Sequence, residues 1–121
     1  MKTIASLALA TILAVLLAPG VSSATTVSEC QAQIAALSAA TSAATFARDE
    51  QGLKAQEQLI HHLEKASAHL EEGAYRDALH QLRNYSRVLD NAVESGRLSA
   101  DAGAPLAAAA ASIVECIEAI E

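Results

Sequence analysis

The sequence predicts an all-α protein, an up-down-up-down four-helix bundle that follows a cleaved signal peptide. Apolar residues recur at three- and four-residue steps from residue 26 onward, and no stretch alternates like a β-strand. Helix-stop glycines and a helix-start serine divide this part of the chain into four segments of similar length. Connections of only a few residues between such helices favour antiparallel neighbours, and hence this topology.

The first 24 residues have the pattern of an export signal. Lys2 precedes an uncharged apolar run over residues 4–18, and small residues lead to the expected cleavage point after Ala24. The run is shorter than the roughly 20 residues that span a bilayer, which disfavours a retained anchor. We therefore expect a secreted or periplasmic protein, with residues 25–121 as one helical domain and no membrane contact after cleavage.

The expected mature chain is strongly acidic. Residues 25–121 contain seven Lys or Arg and fourteen Asp or Glu, a net charge of −7. Such a chain repels nucleic-acid phosphates and anionic lipid headgroups, and it has no basic stripe that would bind a nucleic acid. Nucleic acid is therefore excluded as a partner.

The first predicted helix covers residues 26–46 and the second residues 53–72, with a polar break at residues 48–52. Each carries an apolar stripe at helical spacing. The first stripe consists of Val27, Cys30, Ile34, Leu37 and Thr41. The second consists of Gln56, Leu59, Leu63, Ala66 and Leu70, with Ile60 and Ser67 beside it. Gly73 is expected to end the second helix in the left-handed conformation.

The third predicted helix covers residues 74–95 and is closed by Gly96. The fourth ends at residue 120 and has two possible starts. It begins at the N-cap Ser99 and bends, or it begins near Ala104 after a short turn, because Gly103 and Pro105 disfavour a helix interior. The stripe of the third helix is Tyr75, Ala78, Leu79, Leu82, Ser86, Leu89 and Val93, and that of the fourth is Leu106, Ala109, Ala110, Ile113, Ile117 and Ile120.

Cys30 and Cys116 are predicted to form a disulfide. An even number of cysteines in a small exported domain favours a bridge over metal or redox chemistry. The bundle topology places the start of the first helix and the end of the fourth at the same end, where both cysteines fall. Two buried free thiols are the alternative, and no CxxC motif or adjacent histidine supports a metal pair or a reactive thiol.

The span from residue 52 to residue 120 resembles the FIMAH domain. The resemblance rests on a glycine-bounded Ala/Leu helix that ends in Ser-Gly-x-Leu-Ser, with the family positions at Gly73, Tyr75, Ala78, Leu82, Ser95, Gly96, Leu98 and Ser99. It implies a helical accessory unit of bacterial secreted hydrolases and surface proteins, with no catalytic residue and no cofactor to carry over. The chain departs from it by having Tyr85 where Phe is expected, by Pro105, and by a signal and one extra helix instead of an enzyme upstream.

Four histidines are the best candidates for a metal site: His61, His62, His69 and His80. His62 and His69 share one flank of the second helix but lie about 10 Å apart along its axis, too far for one metal ion. The other two point away from the apolar stripes. We therefore predict no metal and no cofactor. A small exported metal- or ligand-binding bundle that uses His62 and His69 is the alternative function.

Arg76, Arg83 and Arg87, here called the arginine ridge, lie within about 40° of each other around the third helix. A basic ridge on an acidic protein suits a partner, whereas a solvated face with ordinary contacts, such as Arg87 with Asp90, is the alternative interpretation. No GxSxG or SxxK motif indicates catalysis. We predict an exported non-catalytic module with an interaction, accessory or structural role, whose partner is another secreted or surface protein or a second copy.

Overall fold

The computed structural model describes residues 26–121, and the predicted signal peptide lies outside this range. Four helices and no strand occur in the described residues: α1 (Val27–Ala43), α2 (Glu50–Glu71), α3 (Tyr75–Glu94) and α4 (Ala100–Ile120). Helices α1 and α3 each pack on both α2 and α4, so the four form a closed ring. The predicted all-α four-helix bundle is confirmed.

The end of α1 differs from its prediction. The helix ends at Ala43 rather than at residue 46, because the chain turns so that Phe46 enters the core, where it is 5% exposed. Gln56 of α2 satisfies the helix end that this turn leaves open. Its Nε2 donates to the carbonyl oxygens of Thr41 and Ser42 at 3.0 and 3.1 Å. The predicted inward position of Gln56 is thus a capping position.

The start of α2 also differs, because Gly52 lies inside the helix and not in a break. Asp49 is the N-cap, and its Oδ1 accepts a hydrogen bond from the Gly52 N–H at 2.7 Å. Gly52 is buried against the backbone of Ala47, where a Cβ atom would overlap the Ala47 carbonyl. This glycine therefore provides room for a close chain passage, and the helix begins at Glu50 rather than at residue 53.

Gly73 and Gly96 end α2 and α3 as predicted. Both have a left-handed backbone, with φ of 77° and 79°. In each case the next residue donates back across the turn: the Ala74 N–H to the His69 carbonyl, and the Arg97 N–H to the Ala92 carbonyl, both at 2.8 Å. These are Schellman motifs, and they fix the direction in which the chain leaves each helix.

Helix α4 is one continuous helix that starts at Ser99, the first of the two predicted alternatives. The Ser99 Oγ accepts a hydrogen bond from the Ala102 N–H at 3.1 Å, and the helix continues through Pro105. By length and composition α4 could cross a membrane, a criterion that core helices of soluble proteins also meet. Here it contributes to the core of the ring, where Leu106 and Ile117 are buried.

The core runs along the axis of the ring and differs from the predicted stripes on α3. Tyr85 and Ala92 are buried there, whereas Ser86 and Val93 are only half-buried. The Tyr85 hydroxyl has a partner inside the core, since it lies 2.8 Å from the Thr41 Oγ1. Most other buried side chains are those that the stripes predict, among them Ile34, Leu37, Leu59, Leu63, Leu70, Leu82, Leu89, Leu106 and Ile113.

Candidate functional site

The arginine ridge runs along the outer side of α3. Arg76, Arg83 and Arg87 are all exposed, and they span about 16 Å of helix axis. Most buried residues of α3 lie on the opposite side of the helix, namely Ala78, Leu82, Tyr85, Leu89 and Ala92, whereas the buried Leu79 lies one turn before Arg83. The ridge is therefore open to solvent along its whole length.

No carboxylate of the described residues lies within 4 Å of a ridge guanidinium, while the exposed Asp90 and Glu94 share that side of α3. The Arg87 Nη1 donates to the Asn84 Oδ1 at 3.2 Å, and the expected contact with Asp90 is not formed. Within residues 26–121 the only contact of 4 Å or less between a basic side-chain nitrogen and a carboxylate oxygen joins the His69 Nδ1 and the Glu72 Oε1. An exposed pair such as Arg87 with Asp90 gains little in water, so nothing holds the two side chains together. The guanidinium groups thus keep donors for carboxylates from outside the chain.

A polar groove of about 280 Å³ lies between α2 and α3, beside Arg87 at the C-terminal end of the ridge. Sequence reasoning missed this groove, because its two cations come from different elements: Lys54 from α2 and Arg97 from the connection to α4. No carboxylate, histidine or thiol lines it. Its lining consists of Gln51, Lys54, Ala55, Gln58, Val88, Asn91, Ala92 and Arg97.

Arg97 is held in place in this groove. Its Nη2 donates to the Gln51 Oε1 at 2.7 Å, and its Nη1 donates to the Ser95 Oγ at 2.6 Å. Its carbonyl accepts from the Ala47 N–H at 2.8 Å. The one sequence signal for this position is the preceding Gly96, whose turn sets the backbone of Arg97. A fixed guanidinium beside amide side chains is suited to bind an anion.

The four histidines do not converge. The His62 Nδ1 lies 2.8 Å from the Gln81 Oε1, a polar contact between α2 and α3. His69 lies in the last turn of α2, and its Nδ1 is buried, 3.8 Å from the Glu72 Oε1. His61 and His80 are exposed. Within residues 26–121 no group of three or more His, Cys, Asp or Glu side chains could hold a metal ion.

Cys30 and Cys116 lie at disulfide-bonding distance, with their Cα atoms 5.7 Å apart. They connect the first turn of α1 to the last turns of α4, at the end of the bundle where the predicted topology places them. Both are buried. The arrangement is that of a structural bridge between the two outer ends of the domain.

Comparison with known proteins places most of this surface in one family. Residues 47–115 match the family model described as the FIMAH domain. The match covers α2, α3 and most of α4, and it includes the arginine ridge and the polar groove. It leaves out α1 and both cysteines. The chain has no match among curated proteins or solved structures.

Proposed function

Because the chain belongs to the FIMAH domain family, we propose that it is an exported, non-catalytic accessory module that binds an acidic segment of another secreted or surface protein. The family supports the accessory role, and the signal pattern at residues 1–24 supports export. The observation that carries the binding role is the arginine ridge. It presents three exposed guanidinium groups on an acidic protein, with no carboxylate of the described chain within 4 Å.

The ridge and the polar groove together form one basic surface. Arg87 of the ridge and Asn91 of the groove are one helical turn apart on α3, so the two features adjoin. Guanidinium groups bind carboxylates through paired, charge-assisted hydrogen bonds. Three guanidinium groups on one side of a molecule of net negative charge also help to orient an acidic partner as it approaches. These properties favour an extended acidic segment of a protein over a small ligand.

The chemistry of the groove supports binding without catalysis. Its polar groups are side-chain amides and two cations, which can hold an anion. General acid–base catalysis needs a titratable group such as His, Asp or Glu in contact with the reacting atoms, and none lines this groove. The proposed role is therefore to position the chain on its partner.

The proposal is tested by reversing charge on the ridge and comparing recovery of the partner. The double variant Arg83→Glu/Arg87→Glu should lower co-purification with the partner from secreted or periplasmic material by about tenfold, since close charge pairs across an interface contribute a few kcal/mol. The double variant Arg48→Glu/Lys65→Glu changes the net charge equally at exposed positions away from the ridge and the groove. It should bind as the unmodified chain does, and helical circular dichroism should be unchanged in both.

Two outcomes would contradict the proposal. Equal recovery by the ridge variant and the unmodified chain would remove the ridge from the interface. An equal loss in both double variants would show that only the net charge matters. Raising the salt concentration should weaken the genuine complex, because interactions between exposed charges are screened beyond about 8 Å at physiological ionic strength.

A further inference from the structure

The charges of this domain are distributed unequally around the ring of helices. Residues 31–47, which include most of α1, carry no charged side chain, and neither do residues 102–114 of α4. Helices α2 and α3 carry charges along their full length, including the arginine ridge. Because α1 and α4 pack side by side, their uncharged stretches form one continuous face on the side of the bundle away from the ridge.

This uncharged face contains an apolar groove of about 340 Å³ between α1 and α4. Its floor is formed by Leu37, Leu106 and Ile113, which also belong to the core. Apart from Gln33, the side chains of its walls are small, so another helix could approach the backbones closely. The wall residues are Gln33, Ala36, Ala40, Pro105, Ala109 and Ser112.

We propose that the uncharged face packs against the same face of a second copy of this chain. Two molecules of net charge −7 repel each other wherever carboxylates meet, and the uncharged face keeps carboxylates out of the contact. An interface between identical copies uses the same patch on both, related by a two-fold axis. With that axis lying in the plane of the contact and perpendicular to the helix axes, the two bundles lie antiparallel.

The distribution of charge along the bundle favours this antiparallel pairing. The end with the disulfide is acidic, with Arg76 as its one cation against these carboxylates: Glu29, Glu71, Glu72, Asp77, Glu115, Glu118 and Glu121. The opposite end is less acidic, because the cations Arg48, Lys54 and Arg97 offset most of its carboxylates, which are Asp49, Glu50, Asp90, Glu94 and Asp101. Antiparallel copies keep the two acidic ends apart and place each beside the cations of the less acidic end of the other copy, which lowers the charge repulsion at both edges of the contact.

The surface area that the uncharged face can bury indicates how tightly two copies should bind. Seventeen residues of α1 are about 26 Å long, and two adjacent helices are about 20 Å wide, so each copy can bury about 500 Å². The total of about 1,000 Å² is at the lower limit for a specific interface. We therefore expect a weak, reversible dimer that forms at micromolar concentration or above.

Sedimentation equilibrium of the exported chain between about 10 μM and 1 mM tests the proposal. The unmodified chain should shift from monomer to dimer across this range. Ala36→Glu should abolish the shift, because it places a carboxylate on each side of the contact. Ala68→Glu, at an exposed alanine of α2, is the matched control and should leave it intact. A mixture of Ala36→Glu and Ala36→Lys chains should regain a dimer, since unlike charges then face each other.

The possible results separate this proposal from the proposed function. A chain that remains monomeric at about 1 mM, or an equal loss in Ala36→Glu and Ala68→Glu, would overturn the dimer and leave partner binding through the arginine ridge unaffected. Loss of dimerisation in Arg83→Glu/Arg87→Glu would place the contact on α3 and would also overturn the proposal that the uncharged faces pair. Retention of the dimer in that ridge variant supports two separate surfaces.

Discussion

Tyr85 is the most deeply buried aromatic side chain of the described residues, and its hydroxyl is part of a short hydrogen-bond chain. The Thr41 Oγ1 lies 2.8 Å from the Tyr85 hydroxyl and 2.7 Å from the Leu37 carbonyl oxygen. Because a carbonyl only accepts, Thr41 donates to Leu37 and Tyr85 donates to Thr41. Burial raises the pKa of the Tyr85 phenol above its ordinary value. The folded state therefore holds the neutral, donating form.

Tyr85→Phe should cost about 1 kcal/mol of unfolding free energy at neutral pH, since it removes one hydrogen bond without leaving a donor unpaired. Thr41→Val should cost more, because it leaves the buried Tyr85 hydroxyl without an acceptor. Urea unfolding of both variants and of the double variant measures the coupling. Additive costs in that cycle would show that the two hydroxyl groups do not interact.

The same residue should control stability in alkali. A raised folded-state pKa means that the folded protein binds the phenol proton more tightly than the unfolded chain does, so this contribution is complete below pH of about 10 and is lost as the pH rises further. Unfolding free energies measured from pH 8 to pH 11 should fall more steeply in the unmodified chain than in Tyr85→Phe. Parallel curves would contradict the assignment.

Individual residues show which side-chain positions can be predicted from the sequence and which cannot. Periodicity identifies Leu59, Leu63 and Leu82 as core because an apolar side chain has only burial to gain. It misplaces Tyr85, whose burial depends on a hydroxyl partner on another helix. It also misses Arg97, which reaches the polar groove through contacts with Gln51, 46 residues away in sequence. Side chains with both polar and apolar parts are located by tertiary partners that no local pattern contains.

At the scale of elements, two helical glycines lie in close contacts of different kinds. A Cβ added to Gly52 would overlap the carbonyl of Ala47, which belongs to the backbone of the α1–α2 connection. A Cβ added to Gly103 would lie 2.7 Å from the Cγ2 of Val93, the end of a side chain. The Val93 side chain can adjust, whereas the α1–α2 connection is held by the hydrogen bond that the Ala47 N–H donates to the Arg97 carbonyl oxygen. The local sequence around each glycine does not distinguish these contacts from a helix stop.

Gly52→Ala should therefore destabilise the protein by about 2 kcal/mol, because the overlap forces the α1–α2 connection to move. Gly103→Ala should remain within about 1 kcal/mol of the unmodified chain, since the gain in helix propensity offsets the displacement of Val93. Denaturant unfolding of the two variants gives the comparison directly. Equal effects of the two substitutions would mean that the connection is free to shift.

In the whole molecule, α1 lies outside the matched module and packs against two of its helices, α2 and α4. The match begins at residue 47, and α1 is joined to the matched module by core packing and by several polar contacts. The Gln31 Nε2 donates to the Ser67 carbonyl oxygen at 3.2 Å, and Thr41 bonds to Tyr85. The residue at which the chain departs from the resemblance, Tyr where Phe is expected, thus pairs with the helix that lies outside the match. The Gln56 hydrogen bonds to the end of α1 and the disulfide are two further links between α1 and the module.

Removal of the disulfide should consequently release α1 before the rest of the bundle. The bridge joins residues 86 apart in sequence, and the chain-entropy model gives about 4 to 5 kcal/mol for closing a loop of this length. Cys30→Ala/Cys116→Ala should lower the unfolding free energy by up to this amount. Amide hydrogen exchange should quicken most in α1, because only Cys30, Ile34, Leu37 and Thr41 anchor that helix in the core. The unmodified chain under a reductant should give the same pattern. An equal increase in α1 and α3 would instead show that all four helices open as one cooperative unit, with α1 as firmly part of the core as the matched module.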